Sequence, residues 1–328
     1  MTENLSFTWI WEVLTIPFLN FFKTNGRFNY FYLISTLLIG LFYTLYLHLK
    51  KDKFSLSHLF FDCLDFKHWF SASSKVDYWY YYILTILHKI IFSNFIISGL
   101  AVTVFTYKLL DASHFIHSKY PETLGVKILY TVIYLLAYDF ARYYMHSLLH
   151  RYEWLWEFHV FHHSAESLNP FTVYRVHPIE NMLLSSFSGI TTGIVSGVFL
   201  FLVPSISMFT LLNANVGLFV FHLYSNLRHT QTWLPFPEWL SYILLSPAQH
   251  QIHHSKEEKH YNKNMGSMFA FWDYLNGTLY IPKEKEPLQY GLSEPYNPSD
   301  ISNILRIIFS PFQKIYYKVE KKWNKNMD

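Results

Sequence analysis

The sequence predicts an all-α membrane protein, a polytopic helical bundle of about four to five spans with a cytosolic helical cap that carries clustered histidines. Three observations lead there. Half of the 328 residues are apolar, one in five is aromatic and only 15% are charged, a balance too apolar for an ordinary soluble domain. Several stretches near twenty residues long are almost free of charge. Eight of the eighteen histidines fall into three tight runs at helical spacing.

Composition also excludes classes. A net charge of +3, with lysines in flanks and tails rather than along one helix face, gives no footing for nucleic acid. The one cysteine, Cys63, rules out an intramolecular disulfide and a thiolate cluster, so any metal must sit on imidazole or carboxylate. The opening residues, MTENLSFTWIWEVL, lack the basic start and small-residue cleavage site of a secretory leader.

Taken in order, Ser6 to Phe22 is aromatic but holds Pro17 and is followed by Lys23 and Arg27; it reads as an interfacial segment or a packed N-terminal helix. Phe28 to Leu49 is uncharged and, at 1.5 Å per residue, long enough for the roughly 30 Å hydrocarbon core. KKDK follows at Lys50, then a mixed polar stretch from Phe54 to about Tyr82. A second span is expected from Ile83 to Tyr107, a connector with Pro121 from Lys108 to Thr123, and a third span from Leu124 to Met145. Asp139 and Arg142 in its last turns are expensive in lipid, so that end should emerge into protein or water. Met182 to Val203 and Ser205 to about Tyr224 read as a fourth and fifth span joined at Pro204. From Asn226 on the chain is polar enough to lie outside the membrane, and Ile301 to Trp323 reads as a basic amphipathic helix for anionic head groups or as a solvated charged end.

No repeat or low-complexity linker divides the chain. The expected organisation is one integrated unit: residues 1–123 with the first two spans, 124–282 as the histidine-bearing catalytic part, and 283–328 as a basic tail. Lysine and arginine counts favour a cytoplasmic side holding KKDK, Lys67, Lys75, Arg151, Arg175 and the tail, against little beyond Lys23, Arg27, Lys108 and Lys119 opposite. That alternation puts every clustered histidine on the cytoplasmic face.

His146 and His150 are four apart, one helical turn on one face, a spacing at which two imidazoles reach one metal. His159, His162 and His163 stand at i, i+3 and i+4, and His250, His253 and His254 repeat the pattern. The neighbouring pair in each triplet points in different directions, so a triplet can serve two metals. Eight ligands exceed what one tetrahedral zinc takes, which points to two ions. A zinc hydrolase with its glutamate beside the first ligand is disfavoured, because HSLLH and HVFHH have serine and valine there. A non-catalytic lipid-binding or transport protein would not need this many histidines at ligand spacing.

HSLLH, then WEFHVFHHSAESLNPFTVYRVHP, SPAQHQIHHS and NKNMGSMFAFWDYLNGTLYIP, resemble the fatty acid hydroxylase/sterol desaturase superfamily of membrane di-iron enzymes, over about Tyr138 to Pro282. The sterol desaturase-related subgroup that includes alkylglycerol monooxygenase is the most similar. The family's three histidine boxes fall on His146 and His150; on His159, His162 and His163; and on His250, His253 and His254. The resemblance implies two iron ions, with zinc an occupant a purified sample can carry, together with dioxygen and an external reductant. No cytochrome-type HPGG or glycine-rich dinucleotide segment occurs, so electrons are expected from a donor protein, a cytochrome or ferredoxin, or from a reduced pterin. A lipid substrate, hydroxylation or desaturation of one of its C–H bonds, and residence in a bacterial inner membrane or the endoplasmic reticulum are implied with it.

His177 and His229 match positions where the family often has histidine. His222 stands two residues before Tyr224, which occupies the place where many relatives have histidine ahead of SNLR. These three are further candidate ligands or ligand supports, and His260 in HYNKN is a weaker one. Metal-bound imidazoles usually donate their other N–H to a carboxylate or carbonyl, and Asp139, Glu166 and Asp273 are the candidate partners, with salt bridges to Arg142 or Arg175 as the alternative. Asn276 replaces the phenylalanine of the family's WDxLFGT ending. His48, His58, His68, His88, His114 and His117 show no cluster spacing. Trp154, Trp156, Phe158 and Phe171 are expected in an aromatic belt, in core packing or along a route from the bilayer.

Overall fold

The computed structural model describes residues 7–50, 66–113, 119–293 and 303–325, so Ser6, His58, Cys63, His114, His117, Pro295, Pro298 and most of KKDK lie outside the described residues. Four helices are long and apolar enough to cross a membrane: Tyr30–Lys50, Phe92–Ala112, Leu124–Arg151 and Pro178–Leu202. The only strands among the described residues form one two-stranded pair. The chain is thus an all-α integral membrane protein.

The elements follow from local chemistry. Helix α1, Phe7–Leu19, packs against α3, Ala72–Ile90; Tyr81 and Tyr82 donate to the carbonyls of Pro17 and Leu14. The N-terminal segment is therefore a packed helix, and it leaves Trp11 and Phe18 exposed. Helix α2 is Tyr30–Lys50. Ser71 caps α3 by accepting from the Ser74 N–H at 3.1 Å. Helix α4, Gly99–Ala112, completes the second span.

The second span exists but begins later than the hydropathy of Ile83 to Tyr107 implies. Ser74, Asp77, Tyr80 and Tyr81 on one face of α3 are buried, which makes α3 an amphipathic helix of its own. It ends where Ser93 and Asn94 donate back to the carbonyls of Lys89 and Ile90. The span then takes in the short turn Phe92–Phe95 and α4.

Thr123 caps α5, Leu124–Arg151, whose last two turns carry His146 and His150. An extended Tyr152 separates it from α6, Glu153–His163. Pro178 opens α7, Pro178–Leu202, behind the cap His177. The expected fifth span is corrected. Thr210–Leu211 and Ala214–Asn215 pair as β1 and β2 around a tight turn at Leu212 (φ 48°) and Asn213 (φ 59°). Helix α8, Val216–Ser225, has ten residues, about 15 Å, half the hydrocarbon thickness. Apolarity alone does not separate such a hairpin and short helix from a span.

Helix α9 is Pro247–His253, and the tail forms α10, Ile304–Lys325. The tail is not a free solvated end: Ile307 joins Tyr80 and Phe161 in one buried cluster, Phe312 packs on Phe158, and Lys318 Nζ donates to Glu157 Oε1 at 2.7 Å. Behind α6, the buried Asp77 carboxylate takes Arg175 Nε at 2.6 Å, Asn169 Nδ2 at 2.8 Å and Thr172 Oγ1 at 2.7 Å, tying α3 to the segment between α6 and α7. A buried carboxylate needs that full set of donors.

Span packing rests on a GxxxG stripe. A Cβ on Gly193 would lie 2.6 Å from Val102 Cβ and 2.7 Å from the Gly99 carbonyl, and one on Gly197 would lie 2.5 Å from Thr106 Cβ. Gly193→Val should therefore destabilise the protein by about 1–3 kcal/mol or more, since the contact is with backbone and a β-branched stem. Gly125→Ala, where the nearest atom is 4.0 Å away, should leave the thermal midpoint in detergent unchanged. Equal midpoints for the two variants would refute the packing argument.

Candidate metal centre

Three helices bring their histidines to one place. The last turns of α5 supply His146 and His150, whose ring centroids are 4.9 Å apart. The end of α6 supplies His159, His162 and His163. Helix α9 is started firmly by a capping box, Ser246 with Gln249, and by Pro247, and it brings His250 and His253, with His254 as its C-cap.

The rings sort into two groups. His146, His150, His159, His163 and His253 form one, and His162, His229, His250 and His254 the other; within each, one ring nitrogen per residue lies within 4.8 Å of all the rest. Each triplet is divided between the groups, as the i, i+3, i+4 spacing predicts. In the first, His159 Nε2 lies 3.1 Å from His146 Nε2 and 3.2 Å from His163 Nε2. In the second, the Nε2 atoms of His229, His250 and His254 make a triangle with sides of 3.1, 3.2 and 3.2 Å.

These contacts are not ordinary hydrogen bonds. His146 donates from Nδ1 to the Met265 carbonyl at 2.8 Å, and His159 Nδ1 meets Glu180 Oε1 at 2.7 Å. Each neutral imidazole has one N–H, so both inner nitrogens present bare lone pairs to each other. His150 Nε2 and His253 Nε2 are buried with no partner at all. Nitrogens held about 2.0–2.1 Å from one ion lie roughly 3–3.4 Å apart, which is the spacing found here. The donor set fits a transition-metal cation in each group. Burial, reinforced by the neighbouring histidines, holds His159, His163, His253 and His254 neutral far below the usual imidazole range, and burial also lowers His162 to about 3.

Backbone carbonyls fix two more tautomers: His162 Nδ1 donates to Arg175 O at 3.2 Å and His253 Nδ1 to Lys263 O at 2.9 Å. His250 differs. Its Nδ1 faces Arg228 Nη2 at 2.6 Å, and a guanidinium can only donate. A neutral ring that accepts there carries its proton on Nε2, so His250 differs from the rings whose Nε2 is a free lone pair.

Of the further candidates, His229 joins the second group. His177 does not join either: its Nδ1 caps α7 by accepting from Ile179 N–H, and its Nε2 donates to the Ile308 carbonyl, which anchors the tail. His222 also lies outside both groups, with its ring 5.2 Å from that of Tyr32. His260 sits with Glu257 and Glu286, but Lys259 Nζ already occupies the cationic position between those carboxylates. His88 lies on a cavity wall, and His48 and His68 belong to neither group.

The expected carboxylate partners are also corrected. Asp139 accepts from the backbone of Met268 and Phe269 and from Trp272 Nε1. Asp273 accepts from Met265 N–H, Gly266 N–H and Thr278 Oγ1. Both shape the loop whose Met265 carbonyl orients His146, so they act one step removed. Glu166 is exposed, and its backbone N–H bonds Ser73. Glu180 is the carboxylate on a histidine, and its other oxygen has no partner. Its only sequence signal is an acidic residue in the first turn of an otherwise apolar span. Trp156 packs on His150 and His163, Phe158 on His177, and Phe171 in an aromatic core with Phe28 and Tyr81; Trp154 is exposed. None of these four lines the cavity.

That cavity, about 620 Å³, reaches rings of both groups, His146 and His159 of one and His162, His229 and His250 of the other. It is large enough for a lipid head and part of a chain.

Residues 131–278 match the family described as fatty acid hydroxylase, so the histidine-bearing region is similar to that family. The chain is 29% identical over 167 residues to alkylglycerol monooxygenase from Homo sapiens, covering 49% of this chain and 33% of that protein. It is 26% identical over 181 residues to ornithine lipid hydroxylase OlsE from Rhizobium tropici, 55% of this chain and 49% of that protein. It is 26% identical over 147 residues to very-long-chain aldehyde decarbonylase GL1-9 from Oryza sativa subsp. indica, 44% and 52%. The chain thus spans between a third and about half of these relatives. No solved structure matches it.

Removing the carboxylate on His159 should loosen metal. Glu180→Ala is expected to weaken metal retention about 10- to 100-fold in chelator competition, whereas Glu166→Ala should change nothing. The reverse order would refute the assignment.

Proposed function

We propose that this chain, which matches the fatty acid hydroxylase family over residues 131–278, is a membrane-bound, non-haem di-iron oxidoreductase that uses dioxygen to hydroxylate or desaturate a C–H bond of a lipid. The observation that carries the reading is the division of two HxxHH triplets between two groups of inward-facing imidazoles on the wall of one cavity. In this reading His146, His150, His159, His163 and His253 hold one ion, and His162, His229, His250 and His254 the other. When bound, the iron pair supplies the capacity to reduce dioxygen and oxidise an unactivated C–H bond.

The protein's own part is positional. Carbonyls of Met265, Arg175 and Lys263, with Glu180, hold four rings in the tautomer that offers Nε2. Burial keeps the rings neutral and bulk water away from them. The cavity brings the lipid against both groups, and small differences of placement select hydroxylation or desaturation. Electrons come from a separate donor, a cytochrome, a ferredoxin or a reduced pterin. The lysine and arginine bias supports histidines facing the cytoplasm, in a bacterial inner membrane or the endoplasmic reticulum; Lys23 and Arg27, expected on the opposite face, instead line the cavity with the histidines, which strengthens the bias.

Protein purified without added metal or imidazole should carry two irons per chain by elemental analysis, and His163→Ala one or fewer; absence of any bound transition metal would sink the proposal. Chelation should lower the thermal midpoint by about 5–10 °C, because ions that bind only the folded site stabilise it. An unchanged midpoint after complete metal removal would argue that the groups hold no ion.

A further inference from the structure

The cavity has an imbalance of charge that metal binding does not explain. Arg27, Arg142 and Arg228 stand on its walls, and Lys23 and Lys89 on its lining as well, against Glu180 as the only carboxylate there. Glu180 is already engaged with His159. Arg228 is engaged too, with the carbonyls of Ser267 and Gly266 and with His250. Arg142 is not, and Arg27 is engaged along one edge only.

Arg142 lies on the span helix α5, one turn before His146. Among the described residues it makes no hydrogen bond and no ion pair; its one contact as a cation is the Tyr138 ring, 6.0 Å away. Arg27 spends Nε on Asn226 Oδ1 and Nη2 on Ser225, which fixes its direction and leaves Nη1 without a hydrogen-bond partner among the described residues. Burial, with the Arg142 charge adding to it, lowers the Arg27 pKa to about 10. Two enclosed guanidiniums that repel each other, with Glu180 on His159 the one carboxylate of the cavity lining, leave an excess of positive charge, and a charge without a hydrogen-bonded partner on a membrane helix marks a functional position. Neutral imidazoles would also leave the full charge of any bound cation uncompensated.

We propose that the cavity takes its lipid by an anionic head group, a phosphate or carboxylate, clamped between Arg142 and the free edge of Arg27. A guanidinium presents a planar fork of donors matched to both anions. A lipid source, rather than a free anion, follows from the position and size of the cavity. Its lining includes Phe92, the first residue of the second span, and the exposed Lys89 nearby, so it opens at the depth of lipid head groups. Its volume far exceeds what an inorganic anion fills. This assignment of substrate class rests on the oxygenase reading, whereas the anion clamp itself rests only on the residues present.

The test uses full-length protein in uncharged detergent, with oleoyl lysophosphatidate, monoolein and inorganic phosphate as probes and native mass spectrometry as the readout. Lysophosphatidate should bind at least about tenfold tighter than monoolein, and Arg142→Gln should weaken it about 10- to 100-fold without affecting monoolein. Arg142→Lys should retain most of the preference, which separates lost charge from lost folding. Equal affinity for the two lipids, or no effect of Arg142→Gln, would overturn the proposal. Inorganic phosphate binding as tightly as the lipid would overturn the lipid source. Iron measured on the same samples keeps the two readings apart: absent iron with the lipid preference intact counts against the oxygenase, and lost preference in an iron-loaded sample counts against the clamp.

Discussion

Mutual repulsion of inward-facing lone pairs is the constraint on which this structure turns. Nine imidazoles stand in two groups, with nitrogens as close as 3.1 Å and the outer N–H groups of His146, His159, His162 and His253 committed elsewhere. While His146 donates to the Met265 carbonyl and His159 to an ionised Glu180, the two inner nitrogens meet lone pair to lone pair. A cation relieves it at once. The supporting fold can be understood as the means of holding the rings where only a cation satisfies them.

Those means are mostly backbone. The Asp77 carboxylate fixes Arg175, whose carbonyl orients His162, and Asp273 fixes Met265, whose carbonyl orients His146. The glycine stripe of α7 lets that helix lie close against α4, and α7 in turn carries Glu180 to His159. The tail contributes through the Ile308 carbonyl, which holds His177, and through Lys318 on Glu157 of α6. Membrane packing, a buried ion pair and a C-terminal helix therefore converge on the same rings. Carbonyl acceptors suit this task because they add no charge to an enclosed site.

Much of this was legible in the residues. Long uncharged runs gave the four spans together with a fifth that is a hairpin and short helix, and HxxxH with two HxxHH triplets gave eight of the nine clustered rings, because helical spacing sets which side chains share a face. His229 was in reach through the pattern around NLRH, although nothing separated it from His177 and His222. Contacts far apart in the chain were not legible. Glu180 resembles any acidic residue at a helix start, and Arg228 an ordinary charge, until folding places them on His159 and His250. Asp139 and Asp273 were found as important carboxylates but not as loop-holders, since a backbone N–H partner leaves no mark on the sequence. The missed boundaries have one cause: hydropathy averages over the break near Ser93 and the turn at Leu212 and Asn213, which are made by local hydrogen bonds and left-handed backbone.

The two groups also have a consequence for the chain as a polymer. His146 and His253 belong to one group and His162 and His254 to the other, so ions in them would join segments about a hundred residues apart. Closing so long a loop costs entropy that grows only with the logarithm of its length, and a cross-link between its ends, here one formed only in the folded site, offsets that cost. Secreted proteins obtain such cross-links from disulfides, which a chain with a single cysteine cannot form within itself. Here paired coordination would act as a reversible double staple, one that a chelator opens and that acid opens by protonating the rings.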